Sequence, residues 1–433
     1  MGTGDSNFIG FCRNGRVFER YNRKIMGYLR DIVKGVSWLG GLKAISRAIA
    51  FAKTAILARV LIPAQFGLFG IASLVLELLE ILTETGVNVV LMQEKKNMDT
   101  YINTAWIFSI ARGFLISIVI LLASPVIVVF FKSPDAYRLL YLMAVVPIIR
   151  GFINPSVVKL VKELKFKREF TFRLSIFIFD TLVAVSAALI THSAASIIYG
   201  LIAGAILEVI LSYIIVKPRP RVTFEKEKLQ EIVNRGKWLT GAGIFNYFFQ
   251  HGDDIVVGRI LGTYPLGIYQ VAYRISTLPI TEVSDVVGKV TFPVYVKISG
   301  EKKRLTQAFF KTLGGVCLLV IPFGALLFLF PREIINVTLG SNWLEAASVL
   351  KVLAIFGVIK AISNTVFAVL LSLGKQKYVT LITFVGILGL GVSILPLVRA
   401  YGIVGAGISA LIGAIVAIPA AIYALRKSLE EVK

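Results

Sequence analysis

The stretch Arg59-Val-Leu-Ile-Pro-Ala-Gln-Phe-Gly67-Leu-Phe69 is a short polar break between two long apolar runs. Two hundred residues later the chain reads Arg259-Ile-Leu-Gly-Thr-Tyr-Pro-Leu-Gly267-Ile-Tyr269. Arginine aligns with arginine, Leu61 with Leu261, Gly67 with Gly267, and Phe69 with another aromatic, Tyr269. The same register places Trp38-Leu39 on Trp238-Leu239, Gly41 on Gly241 and Ala72 on Ala272. A fixed offset without a gap marks an internal duplication: the chain is two copies of one unit.

Of the 433 residues, 56% are hydrophobic and only 17% are charged. A soluble domain of this size lacks the interior for so much apolar side chain. Many windows exceed the ~18 apolar residues that mark a membrane span. Segments in lipid must satisfy their own backbone hydrogen bonds, so the fold class is an all-α polytopic membrane protein. The net charge of +22 is assigned to loops at the membrane surface. No basic domain or recognition motif stands apart, so nucleic acid is not an expected partner. Cys12 and Cys317 are too few for a disulfide framework or a metal site. Residues 1–34 carry seven Lys/Arg without the apolar core and cleavage site of a signal peptide, and are expected to remain as a basic cytoplasmic tail.

Hydropathy divides the rest into twelve expected spans. Six form an N-terminal lobe, 35–216: residues 35–58, 66–91, 103–131, 137–158, 170–190 and 195–216. Six form a C-terminal lobe, 236–425: residues 236–258, 267–296, 306–330, 346–373, 378–398 and 402–425. A cytoplasmic linker, 217–235, joins the lobes, with a short surface helix expected at 225–234, and 426–433 form a cytoplasmic C-terminal tail. Prolines such as Pro125, Pro147, Pro322 and Pro396 are expected to kink spans without ending them. With this count one membrane side receives 30 Lys/Arg and the other six, which places both termini in the cytoplasm of a cell-membrane protein. Six spans per copy also make the repeats parallel, related by an axis along the membrane normal.

The duplication recurs in spans four and ten, where Leu140, Ala144, Arg150 and Asn154 match Leu350, Ala354, Lys360 and Asn364 at an offset of 210. On these residues the chain resembles a known family. Ala58-Arg-Val-Leu-Ile-Pro-Ala-Gln-Phe-Gly-Leu-Phe69 resembles the first extracytoplasmic turn of oligosaccharide flippases. These form the polysaccharide-transporter branch of the multidrug/oligosaccharidyl-lipid/polysaccharide exporter superfamily. Their pattern is Ala-Arg-Leu-Leu, then a proline, an acid and Phe/Tyr-Gly. Here Ala64-Gln65 stand where the acid is expected. Asp254-Ile-Val-Val-Gly-Arg259-Ile-Leu-Gly262 with Leu266-Gly267-Ile-Tyr269 resembles the corresponding second turn. The resemblance implies two six-helix lobes facing each other in a V, as in multidrug exporters of the superfamily, around a cavity open to one side at a time. It also implies a substrate, a glycan on a polyprenyl phosphate or pyrophosphate, moved from the cytoplasmic to the outer leaflet.

Ionisable residues inside a bilayer are functional candidates by default. Lys43 and Arg47 share a helix face with Ala50 and Thr54. They either pair with Glu77 and Glu80 of span two or meet the carrier's phosphates. Arg150 and Lys360, each with an asparagine four residues on (Asn154, Asn364), form a matched cationic pair suited to a pyrophosphate between the lobes. The alternative is that both snorkel to the cytoplasmic surface or pair with Asp180 or Glu208. Asp253 and Asp254 replace Lys53 and Thr54 at the 200-residue offset. They either pair with Arg274 or bind Na⁺ or a proton, coupling transport to an ion gradient. Span eight also carries Glu282 and Asp285 on one stripe with Lys289. His251 lies among Phe245, Tyr247, Phe248 and Phe249, which either stack on sugar rings or face lipid.

The leading expectation is therefore a lipid-linked oligosaccharide flippase, not an enzyme, without a cofactor. Its expected partners are membrane lipids and the lipid-linked glycan, with a glycan polymerase or glycosyltransferases as further associates. A cation-coupled multidrug exporter and a membrane-embedded glycan ligase or polymerase are the competing readings. The last usually needs a sizeable extracytoplasmic loop, and the largest outer loop here is only 331–345.

Overall fold

The computed structural model describes Gly41 and residues 45–84, 86–93 and 98–432; inside the helices the side chains of 88, 89, 93, 98–100, 231–242, 278, 279, 282, 285 and 289 are outside that description. All regular structure among the described residues is helical. Helix α1 (45–60) ends at Leu61, and α2 (Pro63–Leu82) begins on the far side of a two-residue turn. Pro63 opens α2, where its missing N–H would have had no intrahelical partner. Gln65 Oε1 accepts from the Ile62 N–H at 3.1 Å, so the glutamine does the capping that an acid would otherwise do there.

The chain continues through α3 (Val87–Gln93), α4 (Met98–Phe131), α5 (Ala136–Met143), α6 (Val145–Gly151), a 3₁₀ turn (Pro155–Val157) and α7 (Val158–Lys162). Then come α8 (Phe166–Thr191), α9 (Ala195–Ile215), α10 (Lys226–Leu261), α11 (Thr263–Lys297), α12 (Lys302–Leu329), α13 (Pro331–Thr338), α14 (Ala346–Ser372) and α15 (Gln376–Glu430). Among the described residues, seven of these are long and apolar enough to cross a membrane, or eight if the bent α5–α6 and 155–162 pair is one span. The charged α10 and α11, 36 and 35 residues long, are not among them.

The sequence-based expectations need local correction. The separate surface helix expected at 225–234 is the first part of α10, which runs unbroken from Lys226. Pro147, without an N–H to bond Met143, interrupts its span only locally, since Ala144 keeps helical angles (φ −61°, ψ −20°); the 69° bend comes after Gly151, where Pro155 opens the next segment. Ser117 of α4 donates to the Ala144 carbonyl at 2.6 Å, tying α4 to this point of the span. Pro125 and Pro322, by contrast, stay within continuous helices. The 55-residue α15 contains a non-helical Gly402 at φ +59°. Gly413 backs onto the Gly386 carbonyl and Gly405 onto that of Leu397, so α15 is two antiparallel arms folded at Gly402.

Apolar residues face outward as well as inward. Leu122 is 75% exposed, Ile190 81% and Val392 79%, the surface of a protein solvated by lipid tails. The principal core joins both repeats through α2 and α11. Repeat-related positions occupy it together: Leu57 and Val257, and Ile71 and Val271, are all buried there. At the crossing, a Cβ on Gly67 would lie 1.8 Å from the Thr263 carbonyl oxygen, and one on Gly267 would lie 2.0 Å from that of Pro63. Each glycine thus packs against the residue that opens the other helix, and Thr263 is itself the repeat equivalent of Pro63.

Gly67→Ala or Gly267→Ala should therefore force the helices apart and destabilise the protein by about 1–3 kcal/mol, the usual range for overpacking. Thermal unfolding in detergent checks this against Gly391→Ala, where an added Cβ meets nothing within 4 Å and no loss is expected.

Candidate functional site

Beneath the α2–α11 crossing lies a polar cavity of three chambers that share Glu77. One, of about 400 Å³, lies among α1, α2, α8, α9 and α11 and is lined by Lys53, Ser73, Arg150, Asp180, Gln270 and Arg274. A second, about 290 Å³, lies among α2, α10, α11 and α14, with His251, Asp253, Asp254, Tyr273, Arg274 and Lys360. The third, about 470 Å³, lies among α2, α4 and α6, with Glu80, Glu84, Arg112 and Arg150. Gly70 makes the shared wall possible: a Cβ there would stand 2.3 Å from Gln270 Oε1, and Gln270 is its own repeat equivalent.

In the first repeat, Lys53 Nζ donates to both Asp180 oxygens at 2.8 Å, with the two side chains only 15% and 14% exposed. The absence of a side chain at Gly200 leaves room for that carboxylate. Arg150 pairs with Glu80 at 3.2 Å, more than a third of each side chain being exposed to the cavity, so this contact is readily exchanged. Arg112 Nη2 donates to the Glu80 carbonyl at 2.5 Å and its Nε to Thr83 Oγ1 at 2.9 Å, fastening the end of α2.

The second repeat is wired differently. His251 stands 3.3 Å from Glu77 and 3.5 Å from Asp254, bridging α10 to α2. Tyr247 adds a second link, donating to the Leu74 carbonyl at 2.8 Å. Asp253 is buried and accepts from the Tyr269 hydroxyl at 2.6 Å and the Asp254 N–H at 2.9 Å. Lys360 donates to the Tyr273 hydroxyl at 3.2 Å and lies over the Tyr273 and Phe356 rings. Arg274 lines the same chamber as Glu77 and Asp254.

The residues singled out from sequence thus have different fates. Arg150, Lys360, Asp253, Asp254 and Arg274 all line the cavity. Arg150 takes Glu80 as its partner, while Asp180 goes to Lys53. Glu77, one of the two acids expected as partners of Lys43 and Arg47, takes His251. Asp253 bonds Tyr269 where an ion pair with Arg274 was one reading. Asn154 is not a cavity residue. It is fully buried at the bend after α6, where Oδ1 caps the Ser156 N–H at 2.9 Å and Nδ2 donates to the Pro218 carbonyl at 3.1 Å. The bend between Gly151 and Pro155 leaves backbone groups there that need such a partner. Asn364 donates to Ser284 Oγ at 3.1 Å, tying α14 to α11. Phe245 and Phe248 face outward, and Tyr247 faces the protein interior. Lys43 lies outside the described residues, as do the side chains of Glu282 and Asp285.

Sequence reading missed Arg112, Gln270, Tyr269 and Tyr273. Gln270 had a signal: it is a polar residue in an apolar run at the 200-residue offset from a glycine.

The helical topology and the polar cavity at a repeat interface define a polytopic membrane transporter. Its fold is that of an inward-facing multidrug resistance MATE family transporter of the MOP superfamily, at TM-score 0.70, 15% identity, and coverage of 90% of this chain and 96% of the other. The lipid II flippase MurJ in an inward closed conformation gives TM-score 0.71, with 16% identity and 90% and 88% coverage. An outward-facing MATE transporter gives 0.57, with 16% identity and 92% and 96% coverage. The chain belongs to the polysaccharide biosynthesis protein family, which matches residues 56–348. Similar proteins include the lipopolysaccharide biosynthesis protein WzxC of Escherichia coli (strain K12), 22% identical over 80% of this chain and 71% of that one. The succinoglycan biosynthesis transport protein ExoT of Rhizobium meliloti (strain 1021) is 23% identical over 75% and 66%. The probable low-salt glycan biosynthesis flippase Agl15 of Haloferax volcanii is 25% identical over 50% and 46%. The resemblance read from the two turn motifs is borne out.

Two measurements separate structural from functional polar residues. Asp180→Asn should strand the Lys53 ammonium and destabilise the fold by about 3–5 kcal/mol, with Lys53→Met combined with Asp180→Leu recovering most of that loss. Asn154→Ala should lower stability by about 1–2 kcal/mol, since it removes the cap at the bend. Ligand affinity should not change, which thermal unfolding with a parallel binding titration checks.

Proposed function

We propose that this protein is a flippase that carries a polyprenyl-(pyro)phosphate-linked oligosaccharide from the inner to the outer leaflet of the cytoplasmic membrane. The observation that carries this reading is Arg274, set in the wall common to two chambers and lining both. A diphosphate seated there would meet Arg274, with Lys360 on one side and Arg150 on the other, and accept hydrogen bonds from fixed cationic donors. The acids beside them (Glu77, Glu80, Asp254) serve two purposes in this scheme. They hold the cations in place while the cavity is empty, and they offer acceptors to sugar hydroxyls when it is filled.

In this reading the chain forms twelve spans in two six-helix lobes, α15 supplying the last two and α10 and α11 the charged pair. The Lys/Arg-rich loops are cytoplasmic. The turns at 59–65 and 259–266 lie on the opposite side. The protein alternates between states open to either side, and the substrate moves by binding each in turn. The buried Asp253 is the proposed point of coupling to an Na⁺ or H⁺ gradient, since an intramembrane carboxylate held by a tyrosine hydroxyl is a natural cation acceptor. A glycan polymerase or glycosyltransferases would use the product at the outer surface or supply the substrate at the inner one.

The test is transbilayer movement of a fluorescent polyprenyl-pyrophosphate glycan in proteoliposomes, beside efflux of a cationic dye. Arg274→Ala or Lys360→Ala should slow glycan movement about 10–100-fold, the loss expected for one hydrogen bond to a charged group. Lys167→Ala, an exposed change in the first turn of α8, should leave the rate as it was. Asp253→Asn should abolish any dependence of the rate on an imposed gradient. Dye efflux without glycan movement would make the protein a multidrug exporter.

A further inference from the structure

At the end where α1 turns into α2 and α10 into α11, the repeats are fastened to each other by crossed contacts. Arg59 Nη2, in the first repeat, donates to the Val337 carbonyl of α13, in the second. Arg259, its repeat equivalent, reaches the other way and stacks on the Phe130 ring of α4, 5.2 Å from the centroid, with Nη1 buried. The residue before each arginine follows the same exchange. The Ala58 carbonyl accepts from Trp343 Nε1 at 2.7 Å. Gly258 sits so close to the Phe131 ring that a Cβ would be 3.0 Å away. The two motif arginines thus occupy equivalent places, and each holds the opposite repeat.

All four contacts lie at the sealed end, where Leu57, Leu61, Val257 and Trp343 are buried, and the cavity lies beneath them. Among the solved structures, an inward-facing and an inward closed form match at 0.70 and 0.71 and an outward-facing form at 0.57. Opening this end requires α2 and α11 to part at Gly67 and Gly267, which would carry Arg59 from Val337 and Arg259 from Phe130.

We infer that Arg59 and Arg259 are positioning residues of the transport cycle, two halves of a clasp that keeps the turn end shut while the cavity faces the loop-bearing side. Their chemistry suits a contact made and broken in every cycle. Arg59 is exposed, so water replaces the Val337 carbonyl as soon as the clasp lets go. Arg259 exchanges one ring face for solvent and loses no buried ion pair. A salt bridge enclosed at the same place would resist release.

The inference rests on the transporter reading but not on the glycan, so its test measures accessibility. Ser73, on the wall shared by two chambers, is replaced by cysteine in a background with Cys12→Ser and Cys317→Ser. A membrane-impermeant maleimide is then applied separately to the turn side and to the loop side of oriented vesicles. In the parent, labelling from the loop side should dominate. Adding Arg59→Ala or Arg259→Ala should raise turn-side labelling about fivefold, the population shift for one net hydrogen bond lost from a two-state interface. Arg59→Lys, which keeps a charged donor, should stay near the parent. Turn-side labelling unchanged in both alanine variants, with the other side still reactive, would overturn the clasp. If an alanine variant fails to fold, Arg59→Gln is read by the same criterion. Failure of glycan flipping leaves this result standing, and unchanged labelling leaves the flippase reading standing.

Discussion

The close approach of two backbones at Gly67 and Gly267 governs the rest of the structure. No side chain, however small, fits between Gly67 and the Thr263 carbonyl, or between Gly267 and that of Pro63. In lipid the hydrophobic effect gives helices little reason to associate, and packing through small residues takes its place. The crossing brings α2 and α11 into one core and aligns the repeats about a common axis. Because the helices touch at one end, they leave room for a cavity at greater depth, and the residues lining it come from both copies.

That cavity holds charge under conditions where charge is expensive. The sequence set out cations, and the folded protein surrounds them with acids: Asp180 for Lys53, Glu80 for Arg150, and Glu77 and Asp254 beside His251 and Arg274. The degree of enclosure separates the roles. Lys53 and Asp180 are nearly buried, so breaking that pair is costly and the contact is structural. Arg150 and Glu80 face the water of the cavity, where screening makes the pair weak and the arginine available to an anion. The repeats also diverge where function requires it. Gly70 faces Gln270, and Lys53 gives way to the buried Asp253, so a symmetric frame encloses an asymmetric site.

Much of this was legible in advance because it depends on spacing and on burial of long apolar runs. The duplication, the turn motifs and the helical nature of the chain follow from residues near one another in sequence or at a constant offset. The 69° bend between Gly151 and Pro155 falls inside the expected span 137–158, because a proline that tilts a helix and one that opens a new one look alike until the neighbouring helix is known. Asn154 was misplaced for a related reason: its match to Asn364 is real in sequence, yet the bend buries one and leaves the other between two helices.

By itself, the sequence determined that the protein lives in a membrane, that it is a doubled unit, and that two glycine-bearing turns organise it. Those properties arise from hydropathy and backbone sterics, which act locally. Only the tertiary structure decided which acid neutralises which base. Lys53 and Asp180 are 127 residues apart and Arg150 and Glu80 are 70 apart, and one helical turn of difference in depth would have matched each cation to another carboxylate. Ion pairing depends on distances of a few ångströms across helices, and those distances are set by how the glycines let the backbones meet.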